Sequence, residues 1–168
     1  MEFYKIRDNL PIKARLDYYY TFIYPYLSYN VVVWGGTYQN HLNPLITQHK
    51  RIIRTIASAQ ARDHTTPLFF QLGLLKFGDL YNYYLLIHMY KKINQGEFSV
   101  AHSVNTRNRH LATPTFHRLT LTQHSVSFRG PTAWNTLPLQ LQQLPTLSKF
   151  KKCLKLFFIQ KYADQLIS

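Results

Sequence analysis

Apolar side chains recur at helical spacing through the first half of the chain. In LNPLITQHKRIIRTIAS, residues 42–58, Leu42, Leu45, Ile46, Ile52, Ile53 and Ile56 fall on one arc at about 100° per residue. Lys50, Arg51 and Arg54 fall on the neighbouring arc, so one face packs and the other is basic. Asn43 is placed to cap this helix and Pro44 to occupy its first turn. His49 lands inside the apolar arc, which predicts a hydrogen-bonded core imidazole rather than a ligand. FGDLYNYYLLIHMYKKIN, residues 77–94, carries apolar or aromatic groups around most of its circumference and predicts a helix packed on several sides. A last helix is expected from about Ser148 to Tyr162, with Phe150, Cys153, Leu154, Phe157 and Phe158 packing and Lys151, Lys152 and Lys155 on the other side.

Helix breakers divide this pattern. Pro25, the Gly35–Gly36 pair, Pro67 and Gly73 punctuate it, and Gly96 is a candidate C-terminal cap. Residues 1–96 therefore read as an α-rich bundle. Residues 97–124 turn polar and read as a linker, where RLTLT alone alternates as a short strand or hairpin would. Residues 125–168 form a C-terminal segment that packs on the bundle. Within it, SFRGPTAWNTLP, residues 127–138, reads as a packing clasp: Gly130 and Pro131 start a turn or helix, Trp134 supplies bulk and Pro138 ends the helix. Trp34 and Trp134 are expected to be structural anchors. The fold class is mainly α.

Residues 18–40 carry no charge, a length that suits a membrane span. Six Tyr hydroxyls before Asn30, Pro25 in the middle and two Gly after Trp34 favour instead a buried helix and strand outside any membrane. The N-terminus, MEFYKIRDNLPIKARLD, has no apolar stretch ending at a small-residue cleavage site, so no secretory signal is expected. The single cysteine, Cys153, excludes an internal disulfide and fits an intracellular setting, nucleus or cytoplasm.

Charge points to a partner. Lys and Arg number 20 against 7 Asp and Glu, a formal charge of +13, which drives association with polyanions: nucleic acid first, an anionic membrane surface second. Chemistry is harder to find. No two acids lie close enough in sequence to suggest a paired-carboxylate metal site, the eight His lack a His-Glu-x-x-His spacing, and no Gly-rich phosphate loop or Gly-x-Ser-x-Gly elbow occurs. Neither catalytic residues, a metal nor a cofactor is expected.

Several stretches, in order, resemble the C-terminal region of non-LTR (LINE-type) retrotransposon reverse transcriptases, particularly the jockey-like group. They are LDYYYTFIYPYLSYNVVVWGG, KRIIRTIASAQARDHTTPLFFQLGLLKF, YNYYLLIHMYK, NTRN, FRGPTAWNTLP and SKFKKCLK, and together they cover most of the chain. The resemblance implies the thumb and post-thumb part of an RNA-directed DNA polymerase, a helical element that grips template and primer by their backbones downstream of the catalytic palm. Tyr162-Ala163-Asp164-Gln165 does not supply the family's aromatic-Ala-Asp-Asp motif, having one Asp at the wrong end of the chain. What is implied is a non-enzymatic fragment with nucleic acid, and the polymerase's own palm, as partners. Backbone contacts are expected at Lys50, Arg51, Arg54, Arg62, Arg129, Lys151, Lys152 and Lys155. A protein-interaction module kept from such an element, or a basic peripheral membrane protein, are the alternative readings of the same charges.

Overall fold

Pro25 shapes the first helical run. It has no amide hydrogen, and its ring would press on the Thr21 carbonyl four residues back. The chain answers by widening: α1 (Ile12–Tyr18) passes into a π-helical turn (Tyr19–Ile23), where Tyr24 N–H bonds to Tyr19 O, and continues as α2 (Tyr24–Ser28). The computed structural model describes residues 10–96, 112 and 123–167. The expected linker through residue 122, with its RLTLT alternation, lies outside these apart from Ala112, as do residues 1–9. Among the described residues every regular element is helical, the mainly α class expected.

The further elements are α3 (Val31–Trp34), α4 (Gln39–Ile56), α5 (Thr65–Leu72), α6 (Phe77–Asn94), α7 (Val126–Asn135), α8 (Leu139–Gln142) and α9 (Leu147–Ile167). The described residues group into two units: 10–30, 37–79 and 157–167 in the first, and 31–36, 80–96, 112 and 123–156 in the second. The division falls within α6 and α9 rather than at a linker.

In the first unit, α1 and its π turn run antiparallel to α4. Arg15 Nη1 donates to Ile56 O at 2.7 Å near the C-terminal end of α4, and Tyr19 Oη meets His49 Nε2 at 3.0 Å more than a turn earlier. Ile53 and Ile56 are fully buried, and Tyr19, Leu27, Leu42, His49 and Phe69 are buried in the same unit. Gly73, at φ +61°, closes α5 through a bond from Leu74 N–H to Phe69 O. From α9, Tyr162 donates its hydroxyl hydrogen to Asp79 and accepts from Lys76 N–H at 3.0 Å.

The second unit is built on α6, which, as its pattern predicts, is buried on several sides: Leu80, Tyr81, Leu85, Leu86, Ile87, Met89 and Tyr90 are all in the core. Tyr90 stacks on Phe150 of α9 with centroids 4.6 Å apart, and Trp134 of α7 lies 5.8 Å from Phe150. Trp134 is buried and Trp34 half-buried. Tyr81 lies against the Gly35–Gly36 pair so closely that a Cβ on Gly35 would stand 2.6 Å from its ring. Asn135 reaches back to Ala112, accepting from its N–H and donating to its carbonyl, both at 2.9 Å.

Several sequence expectations need correcting. α4 starts at Gln39, so Asn43 is no cap; its Oδ1 accepts from Gln39 Nε2 at 3.1 Å, and Pro44 sits inside the helix. Likewise α7 starts at Val126, so Gly130 and Pro131 lie within it rather than at its start. Each proline is the sixth residue of its helix. The carbonyls deprived of a donor, Asn40 and Ser127, are thus in the first turn, where water or a neighbour can serve them.

The Val-rich stretch forms α3 rather than a strand. Gly35 N–H bonds to Val31 O at 2.7 Å, which satisfies locally the groups a lone strand would leave unpaired. Burial of residues 18–40 is also only partial: Tyr26 and Tyr29 are 82% and 77% exposed. α9 extends a turn beyond Tyr162.

Candidate nucleic-acid interface

The sequence puts two groups of cations on helix faces, and the packing decides how open each is. On α4, burial of Ile53 and Ile56 turns Lys50 and Arg51 to solvent. Arg54 is half-buried and committed: its Nε donates to Asp63 O at 3.0 Å, while Gln60 N–H donates to the Asp63 carboxylate at 2.7 Å. Arg54 therefore braces the loop after α4, and Arg62 stands exposed on that loop. Lys76, missed from the sequence, joins this surface. Burial lowers its pKa most, the neighbouring Asp79 opposes that, and the positive charge of Lys50 lowers it further. The Lys76 ammonium also lies 4.5 Å from the Tyr162 ring centroid.

His49 belongs to the core, as its place in the apolar arc predicts. It is 2% exposed, its ring stacks on Tyr19 and meets the edge of Phe69, and burial pulls its pKa down to about 4. Burial also raises the Tyr19 hydroxyl, so a protonated Tyr19 faces a neutral His49 across their 3.0 Å contact.

In the second unit, Lys151 and Lys152 are exposed on α9 and Lys155 is half-buried beside them. Phe150 and Leu154, on the opposite side of the helix, are fully buried. Arg129 is in a different situation. It is half-buried on α7, with Nη2 2.8 Å from His124 Nδ1, which is itself 2.7 Å from Gly36 O. Its charge also acts on the Tyr81 hydroxyl, opposing the rise that burial causes there. Arg129 thus organises an internal polar cluster.

The charge is unevenly shared. Every Asp among the described residues, namely Asp17, Asp63, Asp79 and Asp164, is in the first unit, whereas every charged side chain described in the second is Lys or Arg. Lys91, Lys92 and Lys149 add to the second unit's set and were not singled out from the sequence. Nothing in the local pattern marks them: Lys91 and Lys149 each adjoin in sequence a member of the Tyr90–Phe150 pair, which meets only through the fold.

No group of three or more His, Cys, Asp or Glu side chains is placed to hold a metal ion among the described residues, and no helix there is long and apolar enough to cross a membrane. What the arrangement offers chemically is phosphate neutralisation by ammonium and guanidinium groups. A scan against models of protein families, a search of curated proteins and a search of solved structures each returned no match.

Proposed function

We propose that this chain binds nucleic acid by its phosphate backbone, without base specificity, and is the non-catalytic thumb and post-thumb part of a non-LTR reverse transcriptase. The observation that carries the binding is the exposure of Lys50 and Arg51 on α4 and of Lys151 and Lys152 on α9, each on a helix whose other face is anchored in a core. Lys and Arg presented in this way neutralise phosphates and release counterions, so affinity falls as salt rises. The family assignment rests on the ordered sequence stretches alone.

The test is a salt titration of DNA-duplex and RNA–DNA hybrid binding by the chain and by a Lys50→Gln, Arg51→Gln variant, which leaves the Arg54 brace in place. The slope of log affinity on log salt becomes shallower by about 0.9 for each DNA phosphate that the variant no longer neutralises, with circular dichroism unchanged. Identical slopes and affinities in a folded variant overturn the role of the α4 face.

A second reading, a protein-interaction module, is favoured by one observation: Phe22, Tyr26 and Tyr29 of the first unit are between 57% and 82% exposed. Under that reading these residues dock on a protein and the α4 variant binds its partner normally.

A further inference from the structure

The geometry points to a phosphate-binding junction in the second unit where the end of α6 meets the start of α9, with Lys91, Lys149, Lys151 and Lys152 as its contacts. This rests on the nucleic-acid reading above and names the surface that dominates it. Tyr90 and Phe150 stack at 4.6 Å, and Tyr90 also donates its hydroxyl hydrogen to Leu144 O at 2.8 Å, so the last turns of α6 are held against residues 144–150. Lys91 follows one of the stacked rings in sequence, and Lys149 and Lys151 flank the other. All three, with Lys152, are exposed.

Among the described residues of this unit no Asp or Glu stands beside these lysines, so no described acid offsets their mutual repulsion. Repulsion of this kind is offset when a polyanion replaces the counterions held there. By contrast, the cations of the first unit share it with four Asp. Arg54 and Arg129 are already engaged in hydrogen bonds within their own units.

A polynucleotide fits this surface better than an anionic membrane does. A basic amphipathic helix binds a bilayer by sinking its apolar face among the lipids. The apolar face of α9 is unavailable for that, since Phe150 and Leu154 are fully buried and Phe158 nearly so.

The experiment measures fluorescence anisotropy of a labelled DNA duplex across a salt series. It compares the whole chain, a Lys91→Gln, Lys149→Gln, Lys151→Gln variant, and a charge-reduced control, Lys13→Gln, Lys161→Gln, whose lysines are exposed in the first unit. The junction variant is expected to lose affinity for every duplex sequence and to show a salt slope shallower by about one for each lysine removed, with the control close to wild type. As a second measurement that needs no variant, amine acetylation of the wild-type chain with and without duplex is read by mass spectrometry. Protection at Lys91, Lys149, Lys151 and Lys152 but not at Lys13 is expected.

Wild-type binding that is salt-dependent but equally affected by both variants, or untouched by the junction variant, overturns the inference and leaves the backbone-binding reading standing. No wild-type binding to any duplex or hybrid overturns both. Binding instead to phosphatidylserine vesicles, with the same lysine dependence, assigns the junction to a membrane and overturns it as a nucleic-acid site.

Discussion

His49 concentrates the pH sensitivity of the core. Its imidazole titrates near 6.5 in an unfolded chain and is pulled down to about 4 in the fold, so the folded state holds the neutral form. Stability from this group is fully present above pH 6.5, is lost progressively as pH falls from 6.5 towards 4, and levels off below that as both states become protonated. The whole loss is roughly 3 kcal/mol. Thermal unfolding of the wild type and of His49→Gln from neutral pH to pH 4 is expected to show the wild type losing more stability across that window, since the variant has no imidazole to protonate. Parallel pH profiles would refute this account. The apolar arc in the sequence already placed His49 inside; Tyr19 as its partner was not legible, because the two lie 30 positions apart and meet only through the antiparallel pairing of α1 and α4.

Helix-to-helix distance sets the identity of Gly130. In the interior of an ordinary helix, Gly→Ala stabilises by about 0.5–1 kcal/mol. In α7 the sign is reversed. A Cβ at Gly130 would stand 2.5 Å from Met89 Sδ and 3.0 Å from its Cγ, and Met89 of α6 is fully buried, so its side chain would have to shift within the core. Gly130→Ala is expected to destabilise by about 1–3 kcal/mol in chemical denaturation. On a Met89→Ala background, itself costly through the cavity it leaves, most of that penalty disappears. A Gly130→Ala protein as stable as wild type would show that α6 and α7 are not held in this contact. The sequence stretch around Trp134 is thus a packing element, as its Gly-Pro, Trp and Leu-Pro content suggested, but glycine serves close approach rather than a turn.

For the whole molecule, charge and catalytic inventory make separate predictions. Two-metal phosphoryl transfer needs clustered carboxylates, and the four described Asp are distributed over the first unit without forming a metal-binding group. On the proposed reading of a fragment without the catalytic palm, the purified chain is expected to extend no primer with template, deoxynucleotides and Mg²⁺ or Mn²⁺. Primer extension that survives purification and is abolished by Asp164→Asn would overturn the reading of this chain as non-catalytic. The charge of +13 makes its prediction through location. Among the described residues the four Asp share the first unit with its cations while the second carries only Lys and Arg, so on the proposed reading the described cations of the second unit are expected to dominate attraction to a polyanion.

Periodicity along the chain predicted the helices α4, α6 and α9, and which side of α4 and α9 faces inward, because an apolar stripe at helical spacing is a local property that burial then rewards. It determined the net charge and the scarcity of clustered acids equally well. Helix starts were less legible: Pro44 and Pro131 look like first-turn residues locally, yet the preceding turn is also helical in each case, since only a carbonyl near the helix end loses its donor. Only tertiary structure decided the rest. The engagement of Arg54 and Arg129, the exposure of Tyr26 and the Tyr90–Phe150 contact that Lys91 and Lys149 adjoin all depend on contacts between residues distant in sequence or on which face a neighbour covers. A side chain's freedom to bind a phosphate is the remainder after those contacts are made, and that remainder is not written in any one segment.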